Sequence, residues 1–442
     1  MELSTDIAIL GGGLAAYAAA LELQSSGSQV TVVARAPGAS AMNSGAWDIA
    51  DAPTRTPSDS WADWRPWRSA LGEIIHREEL HPYSLLARNF VSSDFFDFVG
   101  ETVKRAAANL PLSMVGGDCL ACPTDWGSVK PTAWVQSSMG DADIRAWRGA
   151  KVLVVGIQGF PQFQSRFIQR ALFGAQERQK QAHLDFAGSF DIDLPELFGR
   201  ASLHPVTLAQ ALDQEEIFAA FSRELVRYLE GKVYTHLLLP PVLGLENTDA
   251  ILTALRRISG LQAAETLATP MSVPGWRLQQ AMERYFQERG IEWIAGEARG
   301  FDGGQRRIKA LHVHRSDDRI KLKCRSVILA TGKYLGGGVQ RVGKWKERIF
   351  HLPIFVRGLA LGAQDWPQLV DSDVYARQPF LSAGIRINPF AQPLDLDGNI
   401  AYDNLFAAGA VLADFNPAQD RCAAGVSLVS GTIAGRHAGV VV

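Results

Sequence analysis

The sequence of 442 residues predicts an α/β protein with a Rossmann-type, two-dinucleotide-binding-like fold into which a second α/β domain is inserted. Three observations predict this class. A glycine-rich turn follows a short apolar segment near the amino end, another apolar segment ends in Ala-Thr-Gly at residues 330–332, and apolar and amphipathic segments alternate between residues 145 and 270. Such alternation is typical of helices packed on a parallel sheet.

The first predicted element is a buried strand, Ile7–Leu10, and it leads into a glycine turn that opens a helix. Gly11 permits the tight turn, Gly13 lets backbone N–H groups approach a pyrophosphate, and Ala16 stands where a third glycine is usual. The amino end of the helix, at Leu14 and Ala15, would face the anion with unpaired donors and a positive dipole. We therefore expect a dinucleotide or flavin phosphate here, the alternative being a purely structural turn.

The second strand, expected over residues 29–33, lacks the carboxylate that usually grips an adenosine ribose roughly 20 residues after the turn. Arg35 follows it instead, either as a phosphate partner or as a solvated surface residue. The loop at 37–53 contains Asn43, Ser44 and Gly45, small residues that would meet a flavin or else form a polar surface loop.

Composition excludes several classes. A net charge of −2 gives no reason to expect nucleic-acid binding, and no run reaches the ~18 apolar residues of a spanning helix. With no leader before the first strand, we expect a cytoplasmic protein. Cys119 and Cys122 form a C-x-x-C pair without further nearby ligands, so ordinary thiols are favoured over a redox pair or a metal site.

The predicted division is a first flavin-binding part at 1–144, an inserted α/β domain at 145–270 and a second flavin-binding part at 271–442. In the insert we expect strands at 152–156, 184–190 and 235–239, a helix through residue 172, a long helix at 207–229 and another at 249–258. Trp61, Trp64 and Trp67 recur every three residues and should pack against the fold, a surface for a partner protein being the alternative.

The last part carries two further cofactor signals. An apolar strand ends at Thr331 and Gly332, where the chain of many flavoproteins turns beside the cofactor. Another strand ends at Gly409 and is followed by Ala410, where many FAD proteins place an aspartate. The helix after Cys422 would then direct its amino end at a flavin, which favours the negatively charged reduced form. Its first turn supplies three candidate cofactor-binding residues: Ala424, Gly425 and Val426.

These residues resemble the B subunit of the anaerobic glycerol-3-phosphate dehydrogenase family. The likeness spans nearly the whole chain, and its segments are GGGLAA at 11–16, Ser44-Gly45-x-x-Asp48, PTDWGSVKPT at 123–132, VVGIQGF at 154–160, LPPVLGL at 239–245, SVPGWRL at 272–278, ATGKYLGGG at 330–338 and NLFAAGAVLADFNPAQDRCAAGV at 404–426. One departure from the family is Cys422-Ala423-Ala424-Gly425, where a run of glycines is expected. The added methyl groups would displace or tilt the flavin ring.

The resemblance implies a flavin, with FMN slightly favoured over FAD. It implies an FAD-containing A subunit, an iron–sulfur C subunit, and membrane association only through those partners, at the inner face of the cytoplasmic membrane. It also implies oxidation of sn-glycerol 3-phosphate to dihydroxyacetone phosphate, with electrons passing to quinone. That chemistry needs a base and phosphate-binding cations, for which the candidates are Arg277, Lys344, Arg348 and His351. The alternatives are an electron-relay or scaffold flavoprotein, a standalone FAD oxidoreductase of another 2-hydroxy or amino substrate, and a flavin-free assembly protein.

Overall fold

A parallel five-stranded sheet stands at the centre of the fold and determines where the cofactor motifs lie. The computed structural model describes residues 1–50, 61, 64–91, 93–179, 184–197, 203–316, 318–362, 369–374, 376–417 and 419–442. Its strands are β1 (Glu2–Ser4), β2 (Ile7–Leu10), β3 (Val30–Ala34), β4 (Ala46–Trp47), β5 (Met114–Pro123), β6 (Val129–Gln136), β7 (Ala150–Ile157), β8 (Leu184–Ile192), β9 (His236–Leu239), β10 (Gln262–Glu265), β11 (Glu292–Ala295), β12 (Glu297–Gly304), β13 (Arg307–Arg315), β14 (Asp318–Lys323), β15 (Ser326–Leu329), β16 (Val339–Val342), β17 (Lys344–Glu347), β18 (Phe355–Val356), β19 (Leu359–Ala360) and β20 (Leu405–Ala407). Its helices are α1 (Leu14–Leu23), α2 (Trp67–Arg77), α3 (Pro82–Ala87), α4 (Asp94–Asn109), α5 (Ser165–Arg178), α6 (Pro205–Leu212), α7 (Glu215–Leu229), α8 (Thr248–Ser259), α9 (Val273–Glu288) and α10 (Ala423–Val441).

The central sheet has the strand order β11-β3-β2-β15-β20, and every neighbouring pair is parallel. Strands β2, β3, β15 and β20 are buried along their whole length, as expected when both faces of a parallel sheet are covered. Helix α10 lies directly on α1, where a Cβ at Gly431 would stand 2.4 Å from the Ala15 carbonyl oxygen. The sheet confirms the predicted strands around both glycine motifs and places their carboxyl ends at one edge.

A second parallel sheet, β10-β9-β7-β8, lies entirely within residues 150–265 and has its own hydrophobic core. Strand β10 was absent from the sequence prediction. The predicted domain boundaries at 144/145 and 270/271 remain predictions, although this sheet lies between them.

The predicted single helix at 207–229 is wrong, because the structure has α6 and α7 separated at Asp213 and Gln214. The Asp213 carboxylate accepts hydrogen bonds from the backbone N–H groups of Leu245, Glu246 and Asn247, at 2.8, 3.1 and 3.0 Å. Asp213 therefore serves as an acceptor for a distant loop, a role that helical periodicity along 207–229 does not reveal.

Smaller sheets, antiparallel except for the β1–β14 pair, surround these two layers. Strands β1, β14, β13 and β12 form one sheet, β4, β6 and β5 form another, and β16–β17 and β18–β19 form two ribbons. The three tryptophans do not share one core. Trp61 is buried and Trp64 partly buried against the core of the second parallel sheet, whereas Trp67 packs into the core around the central sheet.

Within the described ranges, no helix combines the length and the apolar character that crossing a bilayer requires.

Candidate cofactor-binding site

A cavity of about 700 Å³ opens where β2, β3 and β15 end. Its walls come from residues 10–15, 33–40, 296–298, 330–338 and 423–424, with further contributions from 348–349 and 416–417. A volume of this size is in the range typical of cofactor sites, and the carboxyl edge of a parallel sheet is where α/β proteins bind ligands.

The turn between β2 and α1 approaches its surroundings too closely for side chains. Gly11 has φ +119°, and a Cβ on it would lie 2.2 Å from the Ala330 carbonyl oxygen. The backbone N–H of Leu14 donates to the Ser40 hydroxyl at 3.0 Å, and both residues line the cavity. The Leu14 N–H, expected to be unpaired, is thus already engaged. The glycine turn at the amino end of α1 still has the close backbone approach of a pyrophosphate site, so the residues present fit a nucleotide-containing flavin.

The cavity extends past the end of β3 to a carboxylate that the sequence analysis did not single out. Glu297 follows β11, the strand next to β3, and its side chain is 11% exposed. It forms ion pairs with Arg35 at 3.5 Å, with Arg299 at 2.7 Å and with Arg348. Burial alone raises the pKa of this carboxyl, but the hydrogen bonds and charges of Arg348 and Arg299 outweigh burial and hold the pKa below its usual range. Glu297 is therefore an anion at the edge where a carboxylate was missing from the second strand.

At the other end of the cavity, the first turn of α10 contributes Ala423, Ala424 and Ser427 to the wall. The turn is fixed from behind, since the Gly425 N–H donates to the Asp48 carbonyl oxygen at 3.0 Å. A Cβ on Gly425 would lie 2.0 Å from the Tyr83 hydroxyl oxygen, so this glycine is required for packing. Ala423 and Ala424 thus line the cavity at the helix terminus predicted to face the flavin.

Lys333 also lines the cavity, directly after the Ala-Thr-Gly turn, and it is 8% exposed. Its Nζ atom is 3.0 Å from the Leu381 carbonyl oxygen and 3.3 Å from that of Leu412. Burial lowers the pKa of Lys333 to about 7. Lys333 was not among the residues predicted from sequence, although its position directly after the Ala-Thr-Gly motif is a signal that points to it.

The structure separates the four residues predicted for catalysis. Arg348 lines the cavity, where it is paired with Glu297. Lys344 and His351 are exposed and lie outside the cavity wall as far as the structure describes it. Arg277 is also outside that wall, in a buried ion pair with Glu265 at 2.7 Å.

The predicted cofactor-binding residues divide between the wall and the layer behind it. Those on the wall are Gly11, Gly13, Leu14, Ala15, Arg35, Asn43, Thr331, Gly332, Ala410 and Ala424. Those not among the described lining residues are Ser44, Gly45, Gly409, Gly425 and Val426. In that second layer, the Gly409 N–H donates to the Ser430 hydroxyl at 2.9 Å and the Gly45 N–H donates to the Asn43 side chain at 2.8 Å.

Behind α10, the side chains of His81, Asp420 and Cys422 converge within 4.8 Å. The Tyr83 N–H donates to Nδ1 of His81 at 3.1 Å, which leaves the ring proton on Nε2, and Nε2 lies 3.8 Å from the Cys422 sulfur. Burial lowers the pKa of His81 to about 3 and raises that of Cys422 well above its usual value. As the structure stands, the cluster is a buried network of a neutral imidazole and a protonated thiol beside Asp420.

The C-x-x-C pair lies on β5, where Cys122 is fully buried and Cys119 is half-buried. Burial raises the pKa of the Cys122 thiol, so this sulfur is protonated near neutral pH.

Comparison with known proteins agrees with this geometry. A family model described as FAD binding domain matches residues 6–426, and the chain belongs to that family. The protein is thus a flavoprotein oxidoreductase built on the Rossmann-type fold.

Within this class the chain belongs to the family formed by the B subunits of anaerobic glycerol-3-phosphate dehydrogenase. It is 32% identical over 443 residues to the B subunit from Yersinia pestis bv. Antiqua (strain Antiqua), with 96% of each chain covered. It is 24% identical to the B subunit from Pasteurella multocida (strain Pm70), covering 98% of this chain and 99% of the relative. Among solved structures, 3-ketosteroid delta1-dehydrogenase from Sterolibacterium denitrificans aligns with a TM-score of 0.43 and 12% identity over 99% of both chains.

Proposed function

We propose that this chain is the flavin-bearing component of a multi-subunit dehydrogenase that oxidises sn-glycerol 3-phosphate to dihydroxyacetone phosphate. The observation that carries the proposal is the full-length likeness to the B subunits of that enzyme, together with a cavity built on the glycine turn. In this complex, electrons leave through an iron–sulfur C subunit to quinone, and an A subunit carries a second flavin. Contact with the membrane is made through those partners.

We propose FAD as the cofactor in place of the FMN that the sequence analysis slightly favoured. The family that the chain belongs to is an FAD-binding one, and the cavity continues from the phosphate turn to Glu297. Glu297 would take the part of the absent ribose carboxylate; it is the first residue of β12 and lies just after the end of β11, the strand that pairs with β3. Arg35 and Arg348 would hold that carboxylate in place and balance the pyrophosphate charge.

When bound, the flavin supplies hydride acceptance, and the chain's own residues hold and orient it. The glycine turn and the α1 amino end would bind phosphate oxygens, and the α10 amino end would favour negative charge that develops on the ring. Substrate phosphate would then require a cation near the α10 end of the cavity. Of the four residues first expected to provide the base and the cations, Arg348 is the one that reaches the described wall.

A relay role without substrate chemistry is the second candidate. It is favoured by the positions of Arg277, Lys344 and His351, which do not converge on the cavity in the described structure. Under this alternative the chain carries electrons between its partners and does not itself oxidise the polyol.

The deciding experiment begins with the purified chain. Its visible spectrum is recorded, the cofactor is released by acid, and mass spectrometry distinguishes FAD from FMN. Substrate is then added without oxygen. Bleaching of the flavin band supports oxidation by this chain, an unchanged band supports the relay, and a colourless preparation overturns both.

Binding measurements with Glu297→Gln test the FAD assignment separately. We expect affinity for FAD to fall about 10-fold, the effect of losing one charged hydrogen bond, and affinity for FMN to stay within twofold. Glu292→Gln is the matched control, since Glu292 lies on β11 and outside the described cavity wall, where it accepts a hydrogen bond from Thr31 at 3.1 Å. Equal losses for FAD and FMN would contradict a ribose-binding role.

A further inference from the structure

Lys333 lines the flavin cavity, and the partners of its buried amine leave the charge state of that amine open. Both of its hydrogen-bond partners are backbone carbonyls, those of Leu381 and Leu412. A neutral amine has two N–H donors, which these carbonyls satisfy, and one lone pair. An ammonium has a third donor for a further acceptor. The same contacts thus accommodate either form.

The charged and polarisable groups around Lys333 come from residues 414–422. Lys333 interacts electrostatically with Asp414, Asp420 and Cys422, and the Phe415 ring centroid lies 5.3 Å from the Lys333 nitrogen. Burial lowers the pKa of Lys333 most, and the two carboxylates oppose burial only partly. Each carboxylate is engaged elsewhere: Asp414 accepts from the Gly358 N–H at 3.1 Å, and Asp420 is paired with an arginine. One further negative charge near the amine would therefore raise its pKa and favour the protonated form.

A bound flavin changes its own charge in this cavity. Lys333 and the first α10 residues, Ala423 and Ala424, line the same space, and the helix terminus already favours negative charge there. Two electrons and one proton convert oxidised flavin to its anionic reduced form, which adds one negative charge. A neighbouring amine that binds a proton at the same time balances that charge.

We propose that Lys333 is the proton-accepting group coupled to reduction of the flavin in this cavity, an inference that rests on the proposed flavin site. With the secondary alcohol as reductant, the C–H bond breaks and delivers hydride to the flavin. The O–H bond breaks and its proton goes to the Lys333 nitrogen, leaving a ketone and an ammonium. Atoms and charge balance, and reoxidation returns the proton to solvent as the electrons leave.

The competing explanation is structural, since Lys333 also ties the segments around Leu381 and Leu412 together. A purely structural lysine would affect thermal stability and leave the proton stoichiometry of flavin reduction unchanged. The two roles are therefore separated by proton counting, which needs no turnover of substrate.

The experiment measures the midpoint potential of FAD bound to the full chain as a function of pH, by equilibration with redox dyes. Wild type is compared with Lys333→Met, Lys333→Arg and the control Lys309→Met, which changes an exposed lysine on β13. Between about pH 7.5 and 9, wild type and the control should take up two protons per two electrons. Both Lys333 variants should take up one, which halves the slope of potential against pH. At the upper end of that range Lys333→Arg should have a higher potential than Lys333→Met, because its charge is fixed.

An unchanged slope in Lys333→Met overturns the inference while leaving the flavin site intact. If Lys333→Met fails to hold FAD, the slope of Lys333→Arg decides in the same way. A colourless wild-type chain would overturn the proposed function itself, and with it this inference.

Discussion

Breaking the buried ion pair between Arg277 and Glu265 tests whether Arg277 stabilises the fold or binds the substrate phosphate. Their side chains are 2% and 0% exposed, and the guanidinium donates to Glu265 at 2.7 and 3.1 Å and to the Gly244 carbonyl at 2.9 and 2.6 Å. In Arg277→Met, Glu265 would keep its hydrogen bonds from Ser138 and the Leu243 N–H, at 2.6 and 2.7 Å, but would lose its countercharge.

Removing one member of a buried pair costs about 3–5 kcal/mol, because the other charge remains buried without compensation. We expect Arg277→Met to lose that much unfolding free energy in urea, followed by near-ultraviolet circular dichroism. Adding Glu265→Gln should recover at least half, since the amide has no charge to compensate and still accepts one hydrogen bond. Arg284→Met, on the exposed face of the same helix, should change stability by less than about 0.5 kcal/mol.

Binding of glycerol 3-phosphate, measured by calorimetry on the same variants, completes the test. If Arg277 only supports the structure, folded Arg277→Met should bind within twofold of wild type. An Arg277→Met chain of wild-type stability that has lost phosphate binding would refute this reasoning and restore the role predicted from sequence.

Three other substitutions test individual contacts. Gly11→Ala should reduce flavin content at least 10-fold, since its Cβ would lie 2.2 Å from the Ala330 carbonyl oxygen. Gly27→Ala is the control, because Gly27 also has a positive φ, +69°, but a Cβ there would meet nothing within 4 Å. Equal flavin content in both variants would contradict a cofactor site at the glycine turn. Burial lowers the pKa of His81 to about 3, so the unfolded chain binds more protons than the folded chain between pH 3 and 6.5. The free energy of unfolding therefore falls as pH falls through this window, by up to about 1.4 kcal/mol per pH unit. His81→Asn should lack this component in denaturation experiments, and parallel pH profiles for the two chains would disprove it. Asp213→Ala leaves three loop N–H groups without their acceptor and should cost about 1–3 kcal/mol, which lowers the thermal midpoint by about 1 °C per kcal/mol in a chain of this length. An unchanged midpoint would show that water replaces the carboxylate.

Local pattern was sufficient for much of the fold. The apolar runs of β2, β7 and β15 are short and bounded by glycine or polar residues, so their burial could be predicted without any partner. The break between α6 and α7 could not, because its cause is the loop at 245–247, more than thirty residues further along the chain.

The site residues, too, could be predicted from sequence only where their role depends on local backbone geometry. Gly11 and Thr331 belong to motifs whose backbone geometry is local, and both line the cavity. Arg277 had the chemistry of a phosphate ligand, but its pairing with Glu265 depends on β10, a strand the pattern did not show. Glu297 lies outside every motif, whereas Lys333 directly follows the Ala-Thr-Gly motif but had no role predicted for it.

By itself the sequence determined the class of fold, the glycine turn between β2 and α1 and the family, because each depends on residues that are neighbours along the chain. Only the tertiary structure decided which charges meet. It brought Glu297 beside the end of β3, placed Lys333 among carbonyls with little solvent, and buried Arg277 away from the cavity. The physical reason is that charge state and hydrogen bonding depend on distances between segments far apart in sequence, and those distances are fixed only when the sheets pack.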